Sequence, residues 1–403
     1  MRRFWCGCGQ ELYFENTVCS QCGALVGYEP QERLILGFKP HEPAAGAEPS
    51  SPPLFSHPTT GAAYKSCKNY YQENVCNWML PAESTDVFCL SCSLTQTIPD
   101  LDANPKNRMY WARMETAKRY LLHSLLTIGL PVVPKTIDPE NGLSFAFMAD
   151  KDPDSEFTEP LPVDNPVTTG HDNGHITINL AEADDVARRR HQIGLGESYR
   201  TLLGHFRHEV GHYYWDVLVA NSENLEDVRA LFGDEQMDYG EALKKHYNEG
   251  PAADWPQRCV SAYAASHPWE DWAETFAHYL HMVDTLDTAH HWGVAVQGKR
   301  VAPFGTPEGV RPKGSSGRGA WNFDILFQDW MQLGLALNAL SRSLGTDDAY
   351  PFILPEPVES KLALVHDIIQ DYAAHHAQRE VQPQQAQPQH PTPQQPQPQQ
   401  RPT

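Results

Sequence analysis

The sequence predicts an α+β protein, mainly helical with a small sheet, preceded by two small four-cysteine modules. Three observations carry this. Eight of nine cysteines fall in two short clusters near the N-terminus. Two apolar-rich segments, Leu143–Met148 and His175–Leu180, read as strands, and longer segments with apolar residues at helical spacing follow them.

In chain order, Cys6 and Cys8 face Cys19 and Cys22 across a ten-residue loop, so residues 1–38 read as a zinc ribbon. Residues 39–62 are rich in Pro, Ala, Ser and Gly and read as a linker. Cys67 and Cys76 then precede Cys89 and Cys92, giving residues 63–98 as a second four-thiolate module. Segments this short bury too little apolar surface to fold unaided, and a structural metal supplies the difference. Reactive thiols are the competing reading of both clusters. Cys259 stands apart and reads as a buried small hydrophobe.

Residues 99–376 form the expected main domain. Arg108–Leu130 places Tyr110, Met114, Ala117, Leu121 and Leu125 on one helical stripe. Strand His175–Leu180 alternates Ile176, Ile178 and Leu180 against Thr177 and Asn179. Helices are expected over Tyr199–Ala220, Pro268–Thr285 and Asn322–Ser343. From 377 to 403 the chain is mostly Gln and Pro, a composition that cannot offset its ordering entropy, and reads as a disordered tail.

Totals bound the function. With 40% apolar residues the chain can build a sizeable core. No run is long enough to span a membrane and no signal core follows Met1, so the cytoplasm is the expected compartment. There, clustered thiols read as metal ligands rather than disulfides. A formal charge of −20 disfavours nucleic acid as a partner.

The chemistry concentrates in His208-Glu209-Val210-Gly211-His212. Four residues along a helix turn through about 400°, so both imidazoles leave one face and can converge on one ion, with Glu209 free to act as general base. A pair of core histidines is the bland reading. Hydrolytic zinc needs a third protein ligand, and Glu270 and Glu274, one turn apart on the next expected helix, are both candidates. Spacing leaves the choice open.

The pairing of His208-Glu209-x-x-His212 with Glu270-x-x-Ala273-Glu274-x-Phe276-Ala277 resembles the gluzincin peptidases, including the lethal-factor catalytic domain and ImmA-like repressor-cleaving enzymes. Phe4-x-Cys6-x-Cys8, Cys76-Asn77-Trp78, Arg207-His208-Glu209 and Trp269-Glu270-Asp271-Trp272-Ala273-Glu274 together are similar to bacterial zinc-ribbon-fused zinc-binding metallopeptidases over roughly residues 1 to 375. The resemblance implies a gluzincin-like fold, one catalytic and two structural zinc ions, Glu270 as third ligand, Glu274 orienting a ligand, and Tyr263 stabilising the transition state. It implies hydrolysis of peptide bonds, the ribbons offering a docking surface for a protein partner. A peptide substrate is expected along the edge of the strand His175–Leu180; the competing reading makes that strand an interior one with no open edge, and His171 and His175 near it ordinary loop residues. The alternative reading is a non-catalytic scaffold whose ribbons bind a protein or nucleic acid. Intact Glu209 argues against it, because a scaffold needs no base between its ligands.

Overall fold

The computed structural model describes residues 2–41, 52–149, 167, 169–195, 197, 199–301 and 322–381. The protein mixes helices with several sheets. Its first sheet begins beside a two-stranded hairpin of β1 (Phe4–Trp5) and β2 (Glu11–Leu12) and runs in the order β3 (Leu25–Glu29), β4 (Leu34–Pro40), β5 (Leu54–Ser56), β6 (Ala63–Ser66) and β7 (Met79–Pro81), antiparallel throughout. One sheet therefore spans both cysteine clusters, and β5 lies inside the stretch read as a linker. Composition hides so short a strand. The second cluster is completed by α1 (Lys68–Tyr71), just after Cys67, and α2 (Leu90–Ser93), which contains Cys92.

The chain leaves α2 directly into β8 (Thr95–Thr97), which pairs in parallel with β9 (Ser144–Met148) beyond α3 (Asn107–Thr127). This second sheet continues through β11 (His175–Asn179), parallel to β9, to β10 (Gly170–Asp172), antiparallel to β11. Of the two readings of His175–Leu180, the interior one holds: among the described residues this strand lies between β9 and β10, and β10 and β8 are the edges. An Asn173-Gly174 turn with φ of 46° and 76° joins β10 to β11, the positive-φ pair a tight hairpin demands.

Helices α4 (Asp185–Leu195), α5 (Leu202–Leu218), α6 (Leu225–Phe232), α7 (Tyr239–Glu249) and α8 (Pro268–His291) follow. After the short hairpin β12 (Ala295–Val296) and β13 (Lys299–Arg300) come α9 (Phe323–Ser343) and α10 (Glu356–Val381). Helix α10 thus covers the first residues of the expected tail, whose remainder lies outside the described residues. No described helix is long and apolar enough to cross a membrane.

The central event is the packing of α5 on α8. A Cβ on Gly211 would lie 2.8 Å from Ala273 Cα, so only glycine permits this approach. Trp272 Nε1 donates to Gly211 O at 3.0 Å across the same contact. The ribbon sheet docks on α3 through buried aromatics: Tyr28 packs on Trp78, and its hydroxyl meets His123 Nδ1 at 2.9 Å.

Candidate metal centre

Local caps start both site helices in register. Thr201 Oγ1 accepts from Gly204 N at 3.0 Å ahead of α5. His267 Nδ1 accepts from Trp269 N at 3.0 Å ahead of α8, with Pro268 in the first turn. These caps leave the Glu270 carboxylate free of backbone duty.

Across the close contact at Gly211, His208 Nε2 and His212 Nε2 stand 3.3 Å apart, and Glu270 Oε2 lies 3.0 Å from the first and 3.4 Å from the second. Tetrahedral zinc with bonds of about 2.0–2.1 Å separates its nitrogen and oxygen ligands by about 3.3 Å. Glu270 Oε2 is buried without a hydrogen-bond partner, as an atom reserved for an ion would be. Glu270 Oε1 accepts from Tyr239 Oη at 2.6 Å. Glu274 stands one turn further along α8: its Oε1 meets His208 Nδ1 at 2.8 Å and its Oε2 accepts from Ser261 Oγ at 2.6 Å. With Nδ1–H held by Glu274, His208 offers its Nε2 lone pair to the Glu270 side.

Electrostatics follow from burial and pairing. Burial alone would lower the His208 pKa, but the adjacent carboxylates of Glu270 and Glu274 raise it well above the usual imidazole value. Burial opposes ionisation of both acids, yet the two histidines hold Glu270 well below the carboxylate range, and His208 holds Glu274 near 2. Glu209 is buried without such a donor, and burial pushes its carboxyl up to about 7. Tyr263 packs its ring 5.8 Å from that of His208, and burial raises its phenol far above the ordinary value.

The two cysteine clusters have matching dimensions. Cys6 Sγ–Cys22 Sγ and Cys8 Sγ–Cys19 Sγ both measure 3.6 Å, and Cys76 Sγ–Cys89 Sγ measures 3.7 Å. Thiolates on tetrahedral zinc at about 2.3 Å sit about 3.8 Å apart. Cys67 and Cys92 complete the second group. Gly37 in β4 makes room for the first: a Cβ there would lie 2.6 Å from Cys6 Sγ. Cys259 is remote from both and points its thiol at Asp271 Oδ2, 3.7 Å away.

Sequence reasoning did not single out Tyr239 or Ser261, quoted Trp269 within a motif without a role, and read His171 as an ordinary loop residue. Trp269 packs on His212 at 3.9 Å between ring centroids, and His171 stacks on the same ring at 6.1 Å. Only His171 had a local signal, the Asn-Gly turn beside it.

Residues 107–368 match the family described as "Putative zinc-binding metallo-peptidase", and residues 3–103 match a zinc-ribbon domain. Uncharacterised proteins of Mycobacterium tuberculosis and Mycobacterium bovis are each 38% identical over 387 residues, 94% of this chain and 100% of theirs. No solved structure matches the chain significantly. The chain therefore belongs to that zinc-binding metallopeptidase family, with a zinc-ribbon domain ahead of the family region.

Proposed function

We propose that the protein is a zinc peptidase with a gluzincin-like catalytic region, its catalytic zinc held by His208, His212 and Glu270 and two structural zinc ions held by the cysteine clusters. The observation that carries this is the triangle of two imidazole nitrogens and one orphaned carboxylate oxygen with sides of 3.0–3.4 Å, beside buried Glu209. Zinc bound there acidifies water and polarises a peptide carbonyl. Glu209, buried between the two imidazoles in sequence, takes a proton from the attacking water and delivers it to the leaving amine. Tyr263 keeps its proton and donates to the developing oxyanion. Glu274 fixes the tautomer of His208. The substrate is an extended peptide laid along edge strand β10, with the ribbons recruiting a protein that contains it. Nine unpaired cysteines suit the reducing cytoplasm.

Glu209→Gln tests the reading. Zinc content should stay at that of wild type while cleavage of a proteome-derived peptide library, read by mass spectrometry, falls by about 10² or more. Cleavage that survives the substitution undiminished sinks the mechanism. Glu270→Ala should remove one zinc per chain by elemental analysis, whereas Glu274→Ala should weaken that zinc by about 10- to 100-fold. The reverse pattern would exchange their roles.

A further inference from the structure

The two oxygens of the Glu270 carboxylate have different surroundings, and a residue 31 positions earlier in the chain makes the difference. Oε2 faces His208 Nε2 and His212 Nε2 and has no hydrogen-bond partner. Oε1 accepts from Tyr239 Oη at 2.6 Å. A hydroxyl that donates to an ionised carboxylate does so at about 2.5–2.7 Å, so Tyr239 keeps its proton and Glu270 its charge. Burial and the Glu270 charge raise the Tyr239 phenol above its ordinary value, in the same sense.

Tyr239 reaches this oxygen from the first residue of α7, and the start of α7 is fixed from both sides. Asp238 Oδ1 accepts from Glu241 N at 2.8 Å, capping the helix. His267 Nε2 donates to Met237 O at 3.1 Å, while Nδ1 of the same ring caps α8. One neutral imidazole with its proton on Nε2 therefore ties the start of α7 to the start of the helix that carries Glu270. The Tyr239 ring stands across those of His267 and Trp269, at 5.3 and 5.6 Å. Helix α7 buries none of its residues, so core packing does not account for this placement.

A carboxylate can bind a metal through one oxygen or through both. A second oxygen on zinc would take the position that a hydrolytic site leaves open for water. We infer that Tyr239 is a positioning residue for Glu270: its hydroxyl occupies Oε1, so that Oε2 alone is offered to the ion. The inference rests on the zinc-centre part of the peptidase reading and is independent of the substrate.

Tyr239→Phe removes the hydroxyl and keeps the ring contacts, and Tyr247→Phe, at an exposed position of the same helix, is the control. In full-length protein with zinc kept in the cysteine clusters, the His208 site is emptied with a mild chelator and refilled with cobalt(II). Its visible spectrum reports coordination geometry and reveals thiolate ligation should cobalt stray to a cluster. Tyr239→Phe should lose visible intensity as four-coordinate cobalt gains a ligand, while Tyr247→Phe keeps the wild-type spectrum. With zinc, kcat for a cleaved library peptide should fall by about 10- to 100-fold in Tyr239→Phe at unchanged KM. A wild-type cobalt spectrum in Tyr239→Phe overturns the inference; if cleavage still falls, the hydroxyl serves the substrate and not Glu270. Equal spectral changes in both variants overturn it as well, since any disturbance of α7 would then suffice. A changed spectrum confined to Tyr239→Phe, in a protein whose wild type cleaves no library peptide, upholds the inference and overturns the peptidase reading. Wild type that takes no cobalt at the His208 site overturns both.

Discussion

The two four-cysteine clusters share a ligand set and border one sheet, but they differ in burial and in what their chain joins next. In the first, Cys6 and Cys19 are buried but Cys8 and Cys22 are exposed, and the pieces that carry them are a two-stranded hairpin and an open knuckle. In the second all four cysteines are buried. Arg119 of α3 donates to Val75 O beside Cys76. Three residues beyond Cys92, Thr95 enters the sheet that carries β10. Its hydroxyl donates to Glu115 at 2.8 Å, and buried Lys118 reaches both Thr95 and Glu115. Spacing alone makes the clusters look equivalent, but only the second is wired into the sheet of the metal centre. The coupling of a structural metal site is thus set by what its chain does next, not by its ligands.

The largest expected effect breaks this comparison directly. Cys89→Ser with Cys92→Ser should unfold the chain as a whole, because a structural zinc site contributes about 10 kcal/mol or more and total domain stability is about 5–15 kcal/mol. Cys19→Ser with Cys22→Ser should unfold only the N-terminal hairpin and leave two zinc ions per chain. Thermal unfolding combined with elemental analysis reads both. Equal losses of structure in the two double variants would show the first cluster to be as deeply coupled as the second.

A smaller effect concerns rate. With a chromogenic chelator, one zinc per chain should leave from the first cluster at least about tenfold faster than from the second, since exposed thiolates open to competing ligands without unfolding. Assigning the early phase needs only the Cys19→Ser, Cys22→Ser variant, in which it should vanish. Its persistence there would move the labile metal to another site.

The smallest effect tests the seam between ribbon and α3. Burial, with the charges of Arg2 and Arg33 adding to it, lowers the His123 pKa from 6.5 to about 3. The native state therefore excludes a proton that the unfolded chain takes up below pH 6.5. Stability from this group is complete above pH 6.5 and is lost as pH falls from 6.5 towards 3, by about 2 kcal/mol at pH 5. The difference in denaturant midpoint between pH 7.5 and 5 should shrink in His123→Gln. An unchanged difference would mean that the seam opens before His123 titrates.

Much of this was legible in the residues. Helix α8 was expected over Pro268–Thr285 and runs to His291, and α5 lies within the expected Tyr199–Ala220. Both are long periodic segments in which local spacing dominates. Strands β5, β8 and β10 have three residues each and no apolar alternation, so their partners far along the chain decide them. The Asn173-Gly174 pair was the one local sign of β10.

By itself the sequence determined ten candidate donors, eight clustered thiols and two imidazoles four residues apart on one helical face, and placed a candidate base, the Glu209 carboxylate, between the imidazoles. Spacing along a single helix fixes such facts, because 3.6 residues per turn relates near neighbours whatever lies outside. Which of Glu270 and Glu274 stands beside both imidazoles was decided only by the tertiary structure. That choice depends on how closely and at what height α8 meets α5, and hence on the missing side chain at Gly211 against Ala273. The same holds for the coupling of the second cysteine cluster and for the place of β10 at an edge of its sheet among the described residues. Each is a contact between segments distant in sequence, and helical or strand period carries no information about those.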